Sequence, residues 1–287
     1  MPGFICIVCA VTMGIVQGIT EWLPVSSTAH LILTDALFAG RIDQAVITDS
    51  FRETFDVVVQ FGSALAVLTA YFGRLNPFSK AKTRAERRDV CRLWGLIVVA
   101  ALPAGVAGLV LDDTLSNTVF IAPQVNFVIA GALFFYGLLF IVIERGNRRR
   151  TYKITEPESL GFKEALGIGA FQVLALIPGT SRSGSTIIGA SALGVSRGAA
   201  AEFSFFLAIP VMLGAAGLKM IKFFFAGSAV TAEQLIVLAL GTATSFAVSL
   251  MTVKFLVSFV RRHSFEVFGW YRIALSILII LYFSFAK

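Results

Sequence analysis

Charge is scarce in this sequence. Charged residues make up 14% of the 287 positions, hydrophobic ones 57%, and the mean hydropathy is +0.84. Soluble domains carry about 25% charged and about 45–50% apolar residues, so a sizeable water-soluble domain is excluded. Histidine and cysteine are rarer still, with two and three residues. Cys6 and Cys9 form a C-x-x-C inside an apolar run. No second pair exists, and His30 and His263 are the only histidines, so a zinc site is not expected. No Lys or Arg precedes Arg41, so the N-terminal segment lacks the positive region of a signal peptide and reads as mature protein. Acidic residues are outnumbered by basic ones, giving a net charge of +7 and a pI near 9.6. In a soluble protein that balance suggests nucleic acid. Here the basic residues lie in loops beside apolar segments, where they signal membrane topology, and no nucleic-acid partner is expected.

Long apolar runs are what the sequence does have. Six are long enough to cross a bilayer: about 54–73, 93–111, 125–143, 202–222, 233–258 and 267–285. Two further apolar regions are interrupted by polar turns. One, 4–39, is broken at Glu21 to Thr28; the other, 162–195, is broken at Pro178 to Thr186. Each arm is too short to span, and polar groups inside an apolar region cannot face lipid. Both regions are therefore expected to be re-entrant helical hairpins with buried turns.

Loop charge supports this count. Arg74 through Arg92 and Arg145 through Lys153 are strongly basic, and Arg261 and Arg262 follow the fifth run. The stretches 112–124 and 223–232 carry no Lys or Arg. The basic loops fall on one side, the cytoplasmic one, only if six segments span and two do not. The hairpins then enter from opposite sides. Their sequences echo each other: Gly14-x-x-Gln17 leads to Pro24, and Gly169-x-x-Gln172 leads to Pro178. Echo with opposite entry marks an inverted-topology repeat, whose broken helices meet near the midplane. The expected fold is all-α: one integral membrane domain, 1–287, with a first repeat at about 1–111 and a second at about 160–260.

The turns carry the chemistry. Pro178-Gly179-Thr180-Ser181-Arg182-Ser183-Gly184-Ser185-Thr186 opens an apolar helix with hydroxyls and free backbone N–H groups, an anion-binding arrangement. Arg182 adds a fork that matches phosphate oxygens, and a charge between apolar arms is costly unless functional. In the first turn, Gln17 and Glu21 share a helix face. Ser26, Ser27 and Thr28 open the next helix, and His30 follows on the same side. A carboxylate beside a phosphate is tolerable if it holds a bridging cation or accepts a proton. Asp56, Gln60 and Glu202, near the starts of the spans that follow the hairpins, are weaker candidates for supporting roles. The 27 Phe residues suit lipid-facing packing or a groove for a long apolar chain.

At these residues the chain resembles the undecaprenyl-pyrophosphate phosphatases, the membrane-intrinsic bacitracin-resistance family. One family signature, Glu/Gln-x-x-x-Glu then Pro-Val-Ser-Ser-Thr-x-His, is matched by Gln17, Glu21 and Pro24 through His30. The other, Pro-Gly-x-Ser-Arg-Ser-x-x-Thr, is matched by Pro178 through Thr186. Phe55 to Gly62, Gly194 to Arg197 and Glu202 to Phe205 add smaller similarities. The resemblance implies hydrolysis of undecaprenyl pyrophosphate to the monophosphate, recycling the carrier for peptidoglycan, in a bacterial inner membrane with the site open to the periplasmic side. It implies a magnesium or calcium ion. By residue, it implies Ser27 as nucleophile, Glu21 and His30 in metal binding or proton transfer, and Arg182 on the pyrophosphate. Ser26, Thr28, Gly179, Ser181, Ser183 and Thr186 would add substrate contacts. The family pattern allows Glu or Gln at position 17, and Gln17 removes one anionic ligand from any metal there. Attack by Ser27 and attack by a metal-activated water both fit, as does a lipid flippase that carries the headgroup instead of cutting it. A homodimer stays open as the assembly.

Overall fold

The structure is a computed structural model that describes residues 3–40, 46–118, 124–147, 150–225 and 230–285. Among these residues it is all helix apart from turns and one isolated bridge between Ile154 and Val195. Helices α1 (Phe4–Thr20) and α2 (Ser27–Phe38) form the first interrupted pair. Then come α3 (Asp49–Ala70), the single-turn α4 (Phe72–Leu75), α5 (Arg84–Thr118) and α6 (Gln124–Gly146). The second interrupted pair is α7 (Phe162–Val173) and α8 (Arg182–Ala192), with a 3₁₀ turn at Leu174–Leu176 between them. The chain finishes with α9 (Arg197–Phe225), α10 (Ala232–Val260) and α11 (Glu266–Phe285).

Six of the described helices are long and apolar enough to cross a membrane; they contain five of the six expected runs whole and most of the first. Helices α2, α7 and α8 have 12, 12 and 11 residues. At about 1.5 Å per residue they reach less than 20 Å, against a hydrocarbon core of about 30 Å. The outer faces carry Leu109, Val110, Val142 and Phe255 in the open. On a soluble protein such a surface would be an association site; on six spanning helices it faces lipid. The chain is an integral membrane protein. Two expectations about segment ends change. The first run stops at Ala70, because Tyr71 leaves helical geometry and turns α4 so that Leu75 is buried. Asp112 and Asp113 belong to α5, which continues to Thr118 instead of opening a loop. Residues 119–123 and 226–229 of the two stretches without Lys or Arg, and Arg148 and Arg149 of the second basic one, lie outside the described residues.

Packing is reciprocal between the two halves. Helix α1 packs on α10 and α7 packs on α5. Helices α3 and α9 contact each other, and each also packs on the long helix of the other half, α10 or α5. Helices α6 and α11 pair separately. Glycine sets the close approaches. A Cβ on Gly14 would stand 2.5 Å from the carbonyl oxygen of Gly241, and one on Gly169 would collide with the carbonyl of Ala100. At the α6–α11 crossing, Gly137 and Gly269 face each other's carbonyl oxygens at 2.8 and 2.7 Å from the missing Cβ atoms. A Gly137→Leu substitution forces these helices apart at an expected cost of about 1–3 kcal/mol. The thermal unfolding midpoint in detergent measures it.

The basic loops are tied down by ion pairs. Arg74 reaches Glu156, Glu158 and Glu202; Arg261 also reaches Glu202. Arg197 pairs with Glu144 and Arg145 with Glu266. Burial alone would raise the Glu158 carboxyl, but the Arg74 guanidinium hydrogen-bonded to it brings it below the usual 4.5. A depressed carboxylate contributes stability above its unfolded pKa and loses it as pH falls toward the folded one. The stability that this pair contributes is therefore complete above about pH 4.5 and falls away below it, and Glu158→Gln removes that part of the pH dependence. Glu202, a candidate for either a supporting role or a plain helix-end charge, lies in this cluster, because its place near the start of α9 sets it beside Arg74 and Arg261.

Candidate active site

The first turn folds Glu21 back toward the start of α2. Gln17 Nε2 donates to Glu21 Oε2 at 3.0 Å, as the four-residue spacing requires. Ser27 Oγ donates to the same oxygen at 2.9 Å. The carboxylate is nine-tenths buried and Ser27 is half-buried. Ser26 caps α2 by accepting from the Ala29 amide at 3.4 Å, with φ at 74°. The second turn repeats this device. Ser181, at φ 71°, caps α8 by accepting from the Gly184 amide at 3.2 Å. These are the only non-glycine residues with positive φ among the described residues. That region is strained for L-residues, and the strain is concentrated at the two polar turns.

The two turns meet. Arg182 Nη2 donates to Glu21 Oε1 at 3.3 Å and Nη1 to the Ser204 carbonyl at 2.9 Å. Its guanidinium lies 5.6 Å over the fully buried Trp22 ring, a cation–π contact that orients it. Ser183 Oγ donates to the Glu21 carbonyl at 3.1 Å, stitching the start of α8 to the first turn. Glu21 thus has Arg182 on one oxygen and Ser27 with Gln17 on the other. The Ser27 hydroxyl, the Glu21 carboxylate and the Arg182 guanidinium form one chain of hydrogen bonds.

The other expected residues are placed differently. His30 Nδ1 donates to the Ser26 carbonyl at 2.7 Å, so its Nε2 accepts from Tyr271 Oη, also at 2.7 Å. Neither nitrogen meets Ser27 or Glu21, because the ring turns to stack on Tyr271. Of the residues expected near a metal, Glu21 and Gln17, whose part as a ligand was in doubt, lie side by side, while His30 turns away from them. Among the described residues no group of three or more His, Cys, Asp or Glu is placed to hold a metal ion. The hydroxyls of Ser183 and Thr186 are buried and bonded within the protein, Thr186 to Ser204 at 2.7 Å. Ser181 shares its hydroxyl with Ser183 at 3.1 Å. Thr28 is exposed at the start of α2. Gly179, at φ 91°, lies where a Cβ would strike Ile129 of α6.

Arg272 is the residue that sequence reading missed. It is fully buried in the middle of α11. It donates to Pro24 O at 3.2 Å in the first turn and to Gly179 O and Thr180 O, both at 2.9 Å, in the second. A single cation therefore binds the two turns together, over the face of Tyr136 at 5.7 Å. An arginine inside an otherwise apolar run was the available signal. Arg272→Met leaves three buried carbonyls short of a donor. The expected loss is about 2–3 kcal/mol of stability, with activity falling alongside, read by unfolding and turnover of the same preparation.

Beside Arg182 a cavity of about 670 Å³ opens between α5, α7 and α9. Its walls are apolar except for Arg182 and Gln172.

Fold and site define a polytopic membrane protein with a buried polar centre of Ser27, Glu21 and Arg182 at the meeting of two helix turns, next to an apolar cavity. The chain belongs to the family described as Bacitracin resistance protein BacA, whose model matches residues 10–278. It is 48% identical over 274 residues to Undecaprenyl-diphosphatase 1 of Clostridioides difficile, covering 96% of this chain and 95% of that one. It is 46% identical over 278 residues to the Undecaprenyl-diphosphatase of Enterococcus faecalis, covering 96% and 97%. With that of Lactiplantibacillus plantarum it shares 44% over 276 residues, again covering 96% and 97%.

Proposed function

We infer that the protein hydrolyses undecaprenyl pyrophosphate to undecaprenyl phosphate and inorganic phosphate, the activity for which its relatives are named. The observation that carries this reading is the hydrogen-bonded run Ser27–Glu21–Arg182 beside an apolar cavity. A nucleophile within about 2.6–3.2 Å of a base is the mark of covalent catalysis, and a lipid carrier alone has no use for it.

The distal phosphorus is attacked by Ser27 Oγ as its proton passes to Glu21 Oε2. The bond to the bridging oxygen breaks, Glu21 passes that proton to the departing lipid monophosphate, and a phosphoseryl enzyme with an ionised Glu21 remains. Water then attacks that phosphorus with Glu21 as base, releasing inorganic phosphate and restoring the serine. Arg182 and the backbone N–H groups at the starts of α2 and α8 stabilise the charge on the phosphoryl oxygens. Ser183, Thr186 and Arg272 hold these groups in place; His30, fixed by Ser26 and Tyr271, orients the start of α2. A magnesium or calcium ion fits in a limited form. Glu21 and the Gln17 carbonyl oxygen, which is buried with no partner among the described residues, would be the groups to hold it. Such an ion, when bound, offsets charge on the phosphates.

The reciprocal packing, the paired serine caps at positive φ and the matching Gly14 and Gly169 contacts support an inverted repeat with two re-entrant hairpins. The cavity lies toward the ends of α5 and α9 farthest from the basic loops. With those loops in the cytoplasm, the lipid reaches the site from the periplasmic leaflet of the inner membrane.

Phosphate release from purified protein in detergent, where transport has no meaning, tests the activity. Release with magnesium or calcium and its loss with chelator are expected. A folded protein that binds the lipid without releasing phosphate under any cation would overturn the phosphatase reading in favour of a lipid carrier.

A further inference from the structure

Gln172 plays no part in the mechanism above, yet its position needs an explanation. It sits near the end of α7, 2% exposed, and neither its amide nitrogen nor its carbonyl oxygen has a hydrogen-bond partner among the described residues. Its counterpart in the first helix pair, Gln17, donates to Glu21. A buried amide unbonded at both ends is destabilising and rare in native structures. Gln172 also lines the 670 Å³ cavity with Arg182, and every other wall residue is apolar. The cavity therefore has one polar end made by two side chains, of which Arg182 is already bonded to the catalytic carboxylate. Small residues such as Gly105, Gly108 and Gly214 leave the remainder wide enough for a methyl-branched chain. A lipid whose chain fills the apolar part places its headgroup at the polar end. On the phosphatase reading the distal phosphate is the one that Ser27 attacks, so the phosphate next to the chain is the one left at the cavity end.

We propose that Gln172 binds the chain-proximal phosphate, the one retained in the product, by donating its amide N–H to a phosphate oxygen. The identity of the headgroup rests on the phosphatase reading. The contact itself is made equally by substrate, transition state and lipid monophosphate. It therefore lowers KM and the product inhibition constant together and leaves kcat alone. A merely structural residue would not shift those two constants in step.

Two variants test this. Gln172→Met keeps the volume and removes both polar atoms; Gln172→Glu keeps the shape and sets a carboxylate against the phosphate. The readouts are steady-state phosphate release from a polyprenyl pyrophosphate and inhibition by the matching polyprenyl monophosphate, with unfolding midpoints for each protein. For Gln172→Met, KM and the inhibition constant are expected to rise by about tenfold, as for one hydrogen bond lost to a charged acceptor. Its kcat should stay within about twofold and its midpoint should be no lower than wild type. Gln172→Glu is expected to weaken both constants further, and it decides the matter if the apolar variant does not fold. Unchanged constants in a folded variant, or a fall in kcat without a change in product inhibition, overturn the proposal. Should the wild-type protein release no phosphate, the phosphatase reading fails separately. Direct binding of the polyprenyl monophosphate to wild type and Gln172→Met then still decides: weaker binding supports the contact, and equal binding overturns it.

Discussion

Ser27→Ala lowers phosphate release by about 10⁴-fold while leaving the unfolding midpoint close to wild type. The side chain is half-buried and makes one hydrogen bond, to Glu21, so removing it costs about 1 kcal/mol at most. Glu21 keeps Gln17 and Arg182 as partners. A large kinetic loss with a small thermodynamic one identifies a group used in the reaction. Glu21→Gln has the complementary signature. It preserves the shape of the turn but cannot accept the proton, for an expected loss of about 10²–10⁴. His30→Ala is expected to do less than either, since both ring nitrogens are bonded away from Ser27. Rates and midpoints measured on the same detergent-purified proteins check all three.

Arg182→Ala has two large effects. It removes the cation that faces the phosphoryl oxygens, lowering kcat by about 10²–10³. It also strands the Glu21 carboxylate, nine-tenths buried, with its main countercharge gone. Breaking a buried pair from one side costs about 3–5 kcal/mol, whereas removing both charges often costs little. The double variant Glu21→Gln with Arg182→Met is therefore expected to recover most of the stability lost in Arg182→Ala and none of the activity. Arg182→Lys keeps the charge but not the fork that spans Glu21 and the Ser204 carbonyl, so it recovers stability better than rate. A midpoint for Arg182→Ala equal to that of wild type would contradict the pairing on which this argument stands.

The spans were legible because a 20-residue apolar run has few other uses, and the polar turns stood out because nothing polar belongs inside such a run. The Gln17–Glu21 bond follows from helical spacing alone. The bond from Ser27 across the turn to Glu21 does not, because it depends on how the chain reverses between Trp22 and Ser26. Orientation was the harder quantity. His30 sits three residues after Ser27, but its ring is set by Tyr271, 241 residues away in sequence. Glu202 reads from sequence equally as a support for the turns or as a helix-end charge, and its pairing with Arg74 and Arg261 fits the second. Arg272 was hidden by the strength of the apolar run around it. The positive φ angles of Ser26 and Ser181 have no local signature, since serine is an ordinary helix cap and the strain is imposed by packing.

Attack of Ser27 on the distal phosphorus is tested most directly by stereochemistry. A polyprenyl pyrophosphate made chiral at the distal phosphorus with sulfur and oxygen isotopes would be hydrolysed in isotopically labelled water, and the configuration of the released thiophosphate determined. Two in-line displacements, first by Ser27 and then by water, give net retention, and retention is the predicted result. Inversion would mean a single displacement by water, with Ser27 reduced to positioning, and would contradict the covalent route.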